Sequence, residues 1–345
     1  MEKKNVERLR QVLASHLGTV HETLEAFDGA TSTSSSEKVN FEDVIRLGDH
    51  LSKQATIVGM LWSGGIPEPK AVEETMGAFF NTLQGMLLLA HGSRVGGGPT
   101  LCSIVDNSVK LVVGSSFKLM SETIAFYDSQ NEGPKNVVHK LVGELWEACG
   151  GLKKIPRTNV SAIGRELAKV AMSVKDVVRE MGEIKALSSN KPDFDCASDD
   201  EFEDGLSPEE MKLARLVTGV VAEVLVYLKE LIRVITALSK QEGHCEDDEV
   251  VASMEKLLKQ CQTLSHQMDE LGASVYSPQE TDLMALIVNR GYLIDSEIRN
   301  IVSVFGSSDS FQVASQNLIS SLNAMEKELH AADLQHKIHS LSVSN

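Results

Sequence analysis

The chain has 345 residues, enough for two domains at roughly 150 residues each, and its 5% aromatic content beside 42% hydrophobic residues favours helix over sheet. The formal net charge of −16 is carried unevenly: residues 1–190 come to −1, residues 191–210 to −8 and residues 211–345 to −7. That balance excludes direct nucleic-acid binding, which needs a basic face to displace counterions.

A small basic cluster, Lys153, Lys154 and Arg157, is expected only to favour the carbonyls at a helix end. Five scattered cysteines (Cys102, Cys149, Cys196, Cys245, Cys261), none in a C-x-x-C pair, read as the reduced thiols of a cytoplasmic or nuclear protein. The chain opens on an amphipathic helix with no apolar leader. Its longest apolar stretch, Leu216–Leu228, carries Glu223 and falls short of the ~20 residues of a membrane span. A soluble intracellular protein without membrane contact is the expectation.

In chain order, Val6, Leu9, Leu13, Leu17, Val20, Leu24 and Phe27 give a first helix over 2–27 with one apolar face. A loop of small polar residues, Gly29–Ser36, follows. Asn40 caps a second helix that stops at Ser63-Gly64-Gly65, and a third spans about Lys70–His91. Val95-Gly-Gly-Gly-Pro99 comes next; lacking a following Gly-Lys-Ser/Thr and a preceding strand, it reads as a flexible turn and not a phosphate loop. Helices over about Thr100–Ser129, Pro134–Leu152 and Asn159–Leu187 complete the first half.

The second half opens on Ser207-Pro208-Glu209-Glu210, a capping box with Pro at the first helical position. The helix behind it, Ser207–Gln241, is apolar over most of its girth and should sit in the middle of a bundle. Further helices are expected over about Glu249–Ala273, Pro278–Phe305 and Ser310–Ser340. The third of these four is expected to be capped by a second box, Ser277-Pro-Gln-Glu280, and the last by Asp309 with Gln312.

The architecture is all-α: two antiparallel up-down bundles of long helices separated by a flexible acidic segment, with an N-terminal bundle over 1–190, a linker over 191–206 and a four-helix bundle over 207–345. The tether Thr31–Ser36 lets the first helix pack in either bundle.

Candidate sites are few. His330, His336 and His339 share a helix but lack the further ligands of a zinc centre, and His244-Cys245 are neighbours in sequence only. No catalytic, cofactor or metal site is assigned. The stretch that looks recruited is Asp193, Phe194, Asp195, Asp199, Asp200, Glu201, Phe202, Glu203 and Asp204. It is either a solvated linker or a motif that orders on a basic partner groove, with Ser198 placed for phosphorylation to deepen the charge. It has no glycine turn or bidentate Glu for calcium.

Several strings then point one way: Val142-Gly-Glu-Leu-Trp146-Glu-Ala-Cys149, the basic turn Lys153-Lys-Ile-Pro156 with Asn159, and, past the acidic stretch, Met268-Asp-Glu-Leu271 with Ser274-Val-Tyr276-Ser-Pro278. In this order the chain resembles the cyclin-D-binding, or cyclin-D-interacting, protein family from about Phe41 to Phe305. The resemblance implies two helical bundles similar to talin and vinculin modules. It also implies a non-enzymatic negative regulator of cell-cycle progression that binds D-type cyclins and helix-loop-helix transcription regulators, in cytoplasm and nucleus. A talin- or vinculin-like adaptor for cytoskeletal partners is the alternative.

Overall fold

The computed structural model of the chain describes residues 2–29, 39–129, 134–189, 206–238, 240, 247–276, 278–306 and 308–343. Ten α-helices account for most of them: α1 (Glu2–Gly29), α2 (Phe41–Leu61), α3 (Pro69–Ser93), α4 (Pro99–Ser129), α5 (Pro134–Gly151), α6 (Asn159–Ser189), α7 (Pro208–Leu238), α8 (Asp248–Ala273), α9 (Thr281–Phe305) and α10 (Asp309–Val343). No strand occurs among the described residues, so the all-α expectation holds.

The helices form two compact units, Met1–Asn159 and Val160–Asn345. The first has its own core, from Leu9 and Val20 of α1 through Phe79, Phe80 and Leu83 of α3 to Leu145 of α5. In that unit α1 packs on α3 and α4, which settles the place of the first helix.

By packing, the chain divides at Asn159/Val160, where the sequence placed the division at 190, and α6 joins the second unit. Ile163, Leu167 and Val174 of α6 belong to the same buried cluster as Val220 of α7 and Leu264 of α8. A Cβ on Gly164 would meet Ile235 at 3.8 Å, and one on Gly272 would meet Val177 at 2.9 Å. An acidic run in a sequence does not say which core the preceding helix enters. Among the described residues the second unit therefore holds five helices, α6 to α10.

Within it α7 is buried from Leu213 to Leu238 along much of its circumference, against α8, α10 and, through Ile235, α6. Its start is the predicted capping box: the Glu210 N–H donates to Ser207 Oγ (3.2 Å) and the Ser207 N–H to Glu210 Oε2 (2.8 Å). The helix expected from about Pro278 begins later. α9 starts at Thr281, and Gln279 is occupied elsewhere, its amide donating to the carbonyls of Glu210 and Val275, both at 3.0 Å. Ser277 lies outside the described residues. At α10 the cap is Ser308, whose Oγ accepts from the Phe311 N–H at 3.2 Å, and not the expected Asp309.

Candidate interaction surface

The sequence-predicted contact residues Asp193, Phe194, Asp195, Asp199, Asp200, Glu201, Phe202, Glu203 and Asp204 lie outside the described residues, as do Ser198, His244 and Cys245. His330 is exposed on α10; His336 and His339 are also on that helix, with side chains outside the described set. Among the described residues no three His, Cys, Asp or Glu side chains converge as metal ligands.

Two of the strings that carry the resemblance, Val142–Cys149 and Lys153–Pro156, come together along one edge of α2; Met268–Leu271 and Ser274–Pro278 belong to the other unit. The apolar register of α5 is Val138, Leu141, Val142, Leu145, Ala148 and Cys149, all buried. Trp146 falls off that register and faces out, 49% exposed. Its indole N–H donates to the Ser52 carbonyl of α2 at 3.1 Å, so a large aromatic surface stands in water held in a fixed pose. One turn on, burial pushes the Cys149 thiol above its ordinary pKa, with a hydrogen bond to the Ser52 side chain acting the other way. Both ends of the Trp-x-x-Cys string thus grip one residue.

The basic turn continues the seam. Lys153 Nζ meets Asp49 at 2.7 Å, and Arg157 meets Glu42 at 2.9 Å with its guanidinium 4.8 Å over the Phe41 ring. These two cations bind the start of α2, where the sequence reading had assigned them to helix-end carbonyls. The helices run antiparallel and close together: a Cβ on Gly59 would meet Val142 at 3.3 Å. At the far end the Ser63 hydroxyl lies 3.3 Å from His139 Nε2.

Between these ends the surface is open. His139, Gly143 and Trp146 share a flank of α5 by their spacing, and a Cβ on Gly143 would meet nothing within 4 Å. Met60, one turn before Ser63, is 70% exposed. Lys118 and Lys140 flank Glu144 at 2.8 and 3.9 Å, and the hydrogen bond from Lys118 holds that carboxyl below its ordinary range. The arrangement is an aromatic anchor beside an open step at Gly143, with an exposed thioether on the neighbouring helix. Trp and Met are enriched where proteins bind one another. Ser52 had no signal in the sequence. Trp146 did: it interrupts the apolar stripe of its own helix.

The glycine run has a structural use. Gly96 adopts φ +74°, the Gly98 N–H donates to Asn159 Oδ1 at 2.7 Å, and Asn159 Nδ2 donates to the Gly96 carbonyl at 3.2 Å. The Gly97 N–H is taken by the Arg94 carbonyl at 2.8 Å. Two of the amides that a phosphate would need are already bonded within the chain, so the turn is pinned by Asn159 where a flexible one was expected.

Two all-helical units whose assembled features are surface contacts define a helical scaffold of the protein-binding kind. The chain belongs to the Grap2 and cyclin-D-interacting family: the model of that family's N-terminal region matches residues 43–187 and that of its C-terminal region residues 188–295. The family boundary therefore falls at 187/188, in the last turn of α6, whereas the packing boundary falls at the start of that helix. The chain is also similar to a cyclin-D1-binding protein 1 homolog of Xenopus laevis, 22% identical over 264 residues that cover 74% of this chain and 76% of that protein.

Proposed function

We propose that the protein is a non-enzymatic interaction regulator that binds a D-type cyclin and thereby restrains cell-cycle progression, acting in cytoplasm and nucleus. The family match across residues 43–295 carries the reading. What supports a location for the contact is Trp146, half exposed and fixed by Ser52 inside the matched region. The acidic residues Asp193–Asp204 act as a second, electrostatic contact that speeds encounter with a basic groove. The mechanism is competition: occupying one face of the cyclin changes what else that face can hold.

The test is calorimetric titration of the full chain with a purified D-type cyclin. Trp146→Ala is expected to weaken binding at least tenfold, about 1.4 kcal/mol. Replacing the seven acids of 193–204 by their amides is expected to lower the on-rate and flatten its salt dependence. Absence of binding by the unaltered chain would falsify the proposal. A helix-loop-helix regulator in the same cell tests the second partner class implied by the resemblance. Actin co-sedimentation tests the talin-like alternative, with the protein expected to stay in the supernatant.

A further inference from the structure

Away from the α2–α5 seam, the C-terminal unit carries a groove of about 670 Å³ between α9 and α10. The two helices pack tightly at Gly291, where a Cβ would meet Leu322 at 3.2 Å. Towards the start of α9 the small side chains Ala285 and Ala332 leave the space open, over a floor of Val288 and Leu329. The groove follows α9 from Thr281 to Asn289, about 12 Å at 1.5 Å per residue, or roughly two helical turns.

Its rim is acidic. Asp282 and Glu326 line it from opposite helices, and exposed Glu280 stands at the mouth. Glu326 is in turn held by Tyr292 of α9, whose hydroxyl lies 2.8 Å from Asn323 Oδ1 and 3.1 Å from Glu326 Oε2. That hydroxyl is pushed up to about 12 by burial and by Glu326, so it stays a donor at neutral pH. His330 is the other titratable group on the lining. Lys327 is set about 100° round α10 from Glu326, and Lys212 is engaged with Glu328 at 2.6 Å.

We infer that this groove is a docking site for a basic amphipathic helix supplied by a partner protein. An apolar floor two turns long fits the i, i+3, i+4 and i+7 side chains of such a helix. Carboxylates on both walls select lysine or arginine on its flanks and repel phosphate, which disfavours nucleic acid and anionic membrane as occupants. Leu286, one turn after Asp282 and 46% exposed, extends the apolar contact on the α9 side.

The probe is a labelled synthetic helix of about 14 residues with leucines at those positions and lysines on the flanks, read by fluorescence anisotropy against the full chain. Its twin has glutamate in place of lysine. The lysine peptide is expected to bind saturably and less tightly at high salt; the glutamate twin is not. Asp282→Lys, at an exposed position, is expected to weaken binding at least fivefold, and Ala285→Trp to remove it by filling the groove, with circular dichroism melting to confirm the fold. Trp146→Ala is expected to leave peptide binding unchanged, which separates this inference from the cyclin reading. Equal binding of the two peptides, no saturable binding of either, or lysine-peptide binding unchanged in Asp282→Lys overturns it.

Discussion

Asp295 of α9 is an acid with its side chain wholly out of water, in a largely apolar core. Its Oδ1 accepts from Ser315 Oγ at 2.7 Å and its Oδ2 from Arg299 Nε at 2.8 Å. Burial, and then Asp295 itself, push the nearby Tyr227 hydroxyl well above its ordinary value. The carboxylate therefore ties α10 to α9 and faces the tyrosine of α7. Arg299 keeps 53% of its side chain exposed, so removing the acid strands Ser315 and Tyr227 more than the cation. Asp295→Ala is expected to cost about 2–3 kcal/mol, read as a lower urea midpoint at unchanged m; an unshifted midpoint contradicts this role. The signal was present in the sequence as an Asp-x-x-x-Arg pair in an apolar helix. It is not decisive there, because the same spacing is common on exposed faces.

At the scale of elements, legibility depended on whether a signal was local. The Ser207 box encodes its own geometry within four residues, and both of its bonds are formed. Ser207→Ala is expected to cost about 1 kcal/mol of stability, measurable by thermal or urea unfolding; a neutral result would mean the α7 start is held by tertiary contact alone. The same letters at Ser277–Glu280 precede a helix that starts only at Thr281, and Gln279 among them donates to the first turn of α7, 69 residues away in sequence. A long-range competitor of that kind leaves no mark in a four-residue window. The broad apolar surface of α7 announced a central helix, and its packing against α6, α8 and α10 agrees. The seam was half legible: Trp146 stands out of register, but nothing marked Ser52 or Asp49 as its partners.

At the scale of the molecule, periodicity showed that α6 has a buried face without showing whose core it fills. Its contacts with Ile235 and Gly272 answer that. A fragment starting at residue 159 is expected to unfold in one cooperative transition. One starting at 207 strips Ile235 and its neighbours of their α6 cover and should lose several kcal/mol or its cooperativity, as happens when a core loses large apolar contacts. Equal urea midpoints for the two fragments would restore the boundary near 190.

The claim that the α2–α5 seam is the cyclin-facing surface is tested most directly by hydrogen exchange of the full chain with and without a saturating D-type cyclin. The account predicts slowed exchange concentrated in residues 49–63 and 139–153. Protection confined to the C-terminal unit, with that seam unchanged, contradicts it.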